Sequence, residues 1–471
     1  MFDIRQRGST VGREIVGGTT TFMAMSYILF VQPAVLSKTG MDAGGVFMAT
    51  AIAAAAACFL MGLLANYPIA LAPGMGQNFF FVFTLCGIGA ASGAFALTWQ
   101  EALALTCVTG ALFLALSVVG FRARVLNAIP DALKSGIAAG IGLFIALIGF
   151  EWGNLIAPDP ATGVTLAPLD GNYVALLTLG GLAVMLALTA WRARGAILIG
   201  ILLTTAACWG VGQLWGVPAI QWQGAIAMPD GLGATAGGFV SGFASLGDKL
   251  LSANWLDVIV FAFILLFMDL FDTVGTLVGV AGRAGLMRDG RLPRAERALA
   301  ADAGGTVLGA ALGTSTVTSY IESATGVSDG ARTGLAPIAT GACLLAALLF
   351  QPVVMMVGGG VPVEQTLIVG GHPVSQTVLR YPMIAPALIL VGAMMVRSLR
   401  GIAWDDVTEA LPAFLTAVAM PFAYSISDGI ALGFITYAVA KAVTGRLREC
   451  PLVVYIFAAL FVARYALAAL T

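Results

Sequence analysis

From residue 17 to residue 470 the chain is a succession of apolar runs separated by short polar stretches. A regular helix needs about 20 apolar residues to cross a bilayer. Ten runs approach or exceed that length: 17–36, 47–66, 98–120, 132–151, 172–190, 195–214, 254–282, 296–312, 333–357 and 381–399. Two shorter runs, 409–422 and 426–443, are joined by a turn around Pro421 and Ser425. With 59% hydrophobic and 10% charged residues, the apolar surface exceeds what a soluble core absorbs. The chain reads as an all-α polytopic membrane protein.

Two more segments are too broken to span normally. In ANYPIALAPGMGQNFFFVFTLCG (65–87), Pro68 and Pro73 break the first half and leave a helix starting near Gln77. In 313–330, GTSTVTSYIESATG offers hydroxyls and small residues around Glu322 without an apolar pattern. An extended piece leading into a half-helix is tolerated at membrane depth only where it lines a protein cavity. Counted from 17 and from 254, each is the third segment of its half. That correspondence predicts about 14 segments in a 7+7 inverted repeat, with the half-helices as segments 3 and 10.

Arginines collect on one side: Arg5, Arg7 and Arg13; Arg122 and Arg124; Arg192 and Arg194; Arg283, Arg288, Arg291, Arg294 and Arg297; Arg397 and Arg400; Arg446 and Arg448. The positive-inside rule makes that side, and the N-terminus, cytoplasmic. The loops 152–171, 215–253 and 358–380 on the other side are long and poor in Lys and Arg. The last apolar run, 451–470, carries Arg464 near its middle and is expected to lie on the membrane face.

Several function classes are disfavoured. The net charge is −1 with no basic tract, so no nucleic-acid partner is expected. The six cysteines are scattered without a CxxC, and His372 is the only histidine, so neither a metal nor another cofactor is indicated. No GxxxxGK[ST] loop is present for ATP. The charged first sixteen residues do not read as a cleavable leader.

The candidate chemistry lies in acids within apolar segments, which are costly there and rarely accidental. Asp269 and Asp272, in FMDLFDTVGTL, are three apart and share roughly one helix face. Two close carboxylates repel in a low dielectric, which favours proton uptake by one of them. Asp269 can instead cap a break or bond a neighbouring helix. Glu322 offers two acceptor oxygens that suit paired N–H donors on a flat heterocycle, or a plain helix cap. Gln77 and Asn78, at the start of the first half-helix, offer both donors and acceptors. Phe79, Phe80 and Phe81 follow as a wall or as ordinary packing. Ser26, with Thr21 and Met25, lies on a first-span face expected to meet the eighth span. Asp302 reads as a helix-to-helix bond, Asp428 as a cap, and Asp257, Glu101 and Glu151 as span-end residues.

PGMGQNFFF (73–81), MDLFDTVGTLVGVAGRAGL (268–286), GTSTVTSYIESATGV (313–327) and AIPDALKSGIAAGIGLFIALIGF (128–150) resemble the nucleobase–ascorbate transporter family. The closest resemblance is to its AzgA-like branch of hypoxanthine, guanine and adenine permeases. The resemblance runs over nearly the whole chain. It implies a core domain (14–120 and 250–357), a gate domain (121–215 and 376–471), a homodimer and elevator-type proton symport across the inner membrane. On this sequence the eighth-segment acid falls on Asp272, the tenth-segment glutamate on Glu322, and the third-segment contact on Gln77, Asn78 and Phe79. Ile321 and Thr276 join the implied substrate set, and Asp269 joins Asp272 in proton coupling. Uracil carriers have a histidine where Thr276 stands, and the first-segment Gln-His pair of xanthine and urate carriers is absent. Both departures favour purines over the alternative of a xanthine or uracil permease. A sulfate-type anion carrier would require a cation at the site, and a membrane enzyme using the aspartates leaves the broken segments without a role.

Overall fold

The structure, a computed structural model, describes residues 2–88, 95–118, 129–159, 161–217, 220–252, 254–287, 292–369 and 372–470. Arg122, Arg124, Arg288 and Arg291, which enter the charge argument, lie outside the described residues. The first half comprises α1 (Val11–Met25), α2 (Ile28–Leu36), α3 (Ala43–Leu60), β1 (Leu71–Pro73), α4 (Met75–Phe79), α5 (Trp99–Val118), α6 (Asp131–Trp152), β2 (Ile156–Asp159), β3 (Gly163–Leu166), α7 (Tyr173–Ala190), α8 (Ala196–Trp215) and α9 (Gly238–Leu250). The second comprises α10 (Trp255–Arg283), α11 (Ala295–Leu312), β4 (Val317–Ser319), α12 (Ser323–Ser328), α13 (Leu335–Ala347), α14 (Gln351–Gly358), β5 (Val361–Val369), β6 (His372–Arg380), α15 (Ala385–Met395), α16 (Val407–Phe422), α17 (Ile426–Val443) and α18 (Leu452–Leu470). Nine helical stretches among the described residues are long and apolar enough to cross a membrane. Span by span, both halves run helix, helix, short strand with half-helix, then helix, which is the repeat expected from the sequence.

The first span is a pair of helices rather than one, interrupted at Ser26 and Tyr27. Thr10 caps its start, with Oγ accepting from Arg13 N. The Glu14 carboxylate accepts from Arg332 N at 2.9 Å and Thr333 N at 3.1 Å, just ahead of α13. Asn66, held at φ 57°, closes the widened turn after α3 and accepts from Gly334 N at 2.7 Å. Gly62 and Gly334 touch backbone to backbone, so closely that a Cβ on Gly334 would overlap the Gly62 carbonyl.

The two broken segments meet at the centre. Pro68 and Pro73 deny helix to the first, and the β-branched TSTVTS favours extended backbone in the second. They pair antiparallel, Leu71 with Ser319, Ala72 with Thr318 and Pro73 with Val317. Gly74 N to Thr316 O (3.0 Å) and Tyr320 N to Ala70 O (2.9 Å) extend the pairing. Cys58 Sγ, from α3, bonds both Leu71 N and Leu71 O. Backbone groups that would be orphaned at membrane depth are thereby satisfied.

Around this crossing α1 packs on α12 and α13, α3 on α11 and α13, and α5 on α9 and α11. A second set forms around α6, which packs on α15, α16 and α17, with α7 on α8 and α15.

Several features differ from the sequence reading. The long loops 152–171 and 358–380 fold into the β2–β3 and β5–β6 hairpins, because alternating runs such as VPVEQTLIV pair locally. The first half-helix begins at Met75, directly after Gly74, and not at Gln77. Arg464 does not force 451–470 onto the membrane face. Its guanidinium pairs with Asp257 at 2.6 Å and Asp428 at 3.6 Å, so α18 packs on α10 and α17 with its charge met by protein. Asp428 is therefore no cap; Ser425 caps α17 instead.

Candidate functional site

Burying a carboxylate costs several kcal/mol unless donors or a counter-charge meet it, so the partners of each acid define the site. Among the described residues none of Asp269, Asp272, Asp302 and Glu322 is in an ion pair. Hydroxyls and amides serve them instead. Asp302 on α11 is fully buried and accepts from Thr273 Oγ of α10 and Ser319 Oγ of β4, both at 2.8 Å. It thus ties two helices and the crossing strand together. Asp269, also buried, accepts from Thr306 Oγ at 3.3 Å, while its Oδ1 has no protein partner.

Asp272, one turn further along α10, is different. It sits deep in the protein yet its side chain is solvent-accessible, as a group facing a cleft would be. Gln77 Nε2 of α4 donates to its Oδ2 at 3.4 Å. Glu322, half-buried immediately before α12, accepts at Oε1 from the Tyr27 hydroxyl at 2.8 Å and lies within electrostatic range of Asp272. Tyr320 Oη donates to Pro73 O beside the first half-helix. Asp272, Gln77, Glu322, Tyr27 and Tyr320 therefore stand where the broken first span, the two crossing strands and α10 converge.

The other sequence candidates are placed around this centre. Asn78 is fully buried; its Oδ1 accepts from Ser315 Oγ, which in turn accepts from Gln32 Nε2 at 3.0 Å. Its Nδ2 is buried without a protein partner. Phe79 is buried, stacked on Phe83 (5.9 Å) and edge-on to Phe144 of α6 (6.3 Å). Ser26 marks the break in the first span and donates to Met23 O at 3.2 Å. Thr21 packs against Gly326 of α12. Thr276 is buried one turn beyond Asp272, and Ile321 is half-exposed beside Gly279 of α10. The structure brings Gln77, Asp272 and Glu322 to one place and leaves Asn78 and Phe79 engaged with neighbouring helices.

Sequence reasoning missed Tyr27 and Gln32; Tyr320 belongs to the hydroxyls ahead of Glu322 that can satisfy freed backbone groups, and it does so at Pro73 O. A signal was present for Tyr27, because a tyrosine within an apolar span needs a partner for its hydroxyl.

A helical bundle whose two broken segments cross at an acid-lined centre has the architecture of a multi-pass membrane transporter. Residues 12–432 match the permease family, and the chain belongs to it, within the nucleobase–ascorbate transporters. It is 41% identical to the guanine/hypoxanthine permease PbuG of Bacillus subtilis (strain 168), over 96% of each chain. It is 37% identical to the adenine permease AdeP of Escherichia coli (strain K12), over 98% of this chain and 94% of that one. The transmembrane domain of a cyanobacterial bicarbonate transporter, BicA, shares the fold with a TM-score of 0.58 at 14% identity, covering 90% of this chain and 97% of that domain.

Proposed function

We propose that this protein takes up purine nucleobases (hypoxanthine, guanine, adenine) across the inner (plasma) membrane in symport with protons, by an elevator-type motion. The observation that carries the reading is the pairing of Glu322 and Asp272 at the crossing with no cation among the described residues. A purine presents ring N–H donors that two carboxylates accept well, and the similar proteins PbuG and AdeP are a guanine/hypoxanthine and an adenine permease. Glu322 accepts from the ring, Gln77 and Asp272 meet the opposite edge, and Asp272, open to the cleft, carries the coupled proton with Asp269 behind it. Asn78 serves through its hold on Ser315, Phe79 as support for the half-helix, and Ser26, Thr276 and Ile321 as the surrounding wall.

The moving unit in this reading is the core, 14–120 with 250–357, against a gate of 121–215 with 376–471. Phe83 of the core meets Phe144 and Tyr424 of the gate edge-on at 5.7 and 5.4 Å. The ion pairs Arg464–Asp257 (2.6 Å) and Arg194–Asp329 (2.9 Å) cross the same boundary and must part in any sliding of core on gate. The protein would work as a homodimer with a cytoplasmic N-terminus. An anion carrier of the same fold is disfavoured because acids, not a cation, occupy the crossing.

The test is uptake of labelled hypoxanthine into proteoliposomes under an imposed proton gradient, with unlabelled guanine, adenine, xanthine and uracil as competitors. Gradient-dependent uptake blocked by guanine or adenine but not uracil is the expected result. No uptake of any base overturns the reading.

A further inference from the structure

We propose that Tyr27 is a positioning residue for the substrate site, fixing the Glu322 carboxylate so that it presents one oxygen to the cleft. This rests on the reading of Glu322 as the group that accepts from the purine. Tyr27 stands at the interruption between α1 and α2, and its side chain is only 2% exposed. A buried phenol with an unmet hydroxyl is costly, so its partner is not incidental. That partner is Glu322 Oε1, at 2.8 Å.

Besides Tyr27, the Glu322 carboxylate is met by its own backbone N–H, and Tyr27 is the one donor that comes from another segment among the described residues. Glu322 is half-exposed, begins a helix of only six residues, and no arginine or lysine among the described residues pairs with it. A glutamate has three side-chain torsions, and a carboxylate free to turn about them would lose its aim at a ligand. The Tyr27 hydroxyl, presented by a buried ring, removes that freedom with a charge-assisted bond. Tyr320, a near neighbour of Tyr27, anchors to Pro73 O and completes the frame from the side of the first strand. The broken first span thus has a role beyond packing: the break places a rigid donor at the foot of the second half-helix. With Oε1 engaged by Tyr27, the carboxylate's remaining lone pairs, those on Oε2 first, are what a ring N–H can reach. This ordering predicts that bases differ in affinity by how well a single N–H reaches Oε2.

The experiment uses the full-length protein in detergent, with wild type, Tyr27→Phe, Glu322→Gln and the double variant. Hypoxanthine binding is measured by titration calorimetry, and the Glu322 carboxylate band is assigned by infrared difference against Glu322→Gln. Tyr27→Phe keeps the ring and is expected to weaken binding about tenfold or more, as for a hydrogen bond to a charged group. The Glu322 band is expected to shift in Tyr27→Phe, and Tyr27→Phe is expected to add no further loss in the Glu322→Gln background. Unchanged affinity, or an unshifted band, overturns the proposal whatever the double variant does. An equal loss in both backgrounds makes Tyr27 a packing residue and also overturns it. If wild type binds no purine, the functional reading fails, while the infrared band still decides whether Tyr27 orders Glu322.

Discussion

Ser319→Ala tests whether the crossing is held by the buried acid behind it. Ser319 is 2% exposed and Asp302 is fully buried; their bond is 2.8 Å long, and the change removes one of the two hydroxyls that serve Asp302. A hydrogen bond to a charged group contributes about 1.5–3 kcal/mol; the Ser319 backbone N–H and the Thr273 hydroxyl still serve Asp302 in the variant. Because Ser319 lies on β4 opposite Leu71, that loss falls on the β1–β4 pair. Opening of the pair should then be more frequent by about 10- to 150-fold, at roughly 1.4 kcal/mol per decade. Cys58 reports the opening, since it is fully buried and its thiol bonds Leu71 on both sides. In a chain whose other five cysteines are replaced by alanine, the rate of maleimide labelling at Cys58 follows the open population when reclosing is fast. Thr189→Ala is the control, because that hydroxyl bonds only within its own helix. Acceleration below about twofold in Ser319→Ala, against the tenfold or more expected from such a bond, refutes the reasoning.

Asp272→Asn is expected to abolish gradient-driven accumulation of purine in proteoliposomes while leaving some binding; retained accumulation moves the coupling proton elsewhere. Gly334→Ala forces a methyl onto the Gly62 carbonyl and should cost about 3 kcal/mol or more, seen as loss of monodisperse protein on size exclusion. Arg464→Ala leaves Asp257 and Asp428 facing each other without their cation. Since Arg464 and both acids are partly exposed, the cost should be about 1–2 kcal/mol, below that of a fully buried pair. Adding Asp257→Ala should recover part of the lost thermal stability.

The fold was legible where one residue type has one physical consequence. Pro68 and Pro73 exclude a regular helix, and acids within apolar segments demand a protein-lined interior, so both broken segments could be located from sequence. What a partner decides was not legible. Arg464 looks surface-bound until Asp257 and Asp428 are seen to meet it, and the pairing of Leu71 with Ser319 has no local signature. The hairpin at 361–380 shows alternation in Val361, Val363 and Leu367, but long polar loops between spans draw attention away from strands. At the site, Gln77, Asp272 and Glu322 could be named because their charge or amide is out of place in hydrocarbon. Tyr27 carried a signal, a hydroxyl within an apolar span, but not the identity of the partner that meets it. Asn78 was recognisable as polar, but the Ser315 hydroxyl that engages it, and the Gln32 amide that holds Ser315, lie on other segments.

The β1–β4 pair also constrains how the chain can be made. Leu71 enters the membrane long before Ser319 has been synthesised, so the first extended piece waits at depth with its ladder partner still missing. Exposed backbone of that kind is poorly tolerated in lipid and must be held by neighbouring helices, by water or by the insertion machinery until the second half arrives. The first half expressed alone has no route to its final central geometry. Two separately expressed halves can assemble only if the earlier one survives that wait, and the last event of assembly is the joining of three residues from each half.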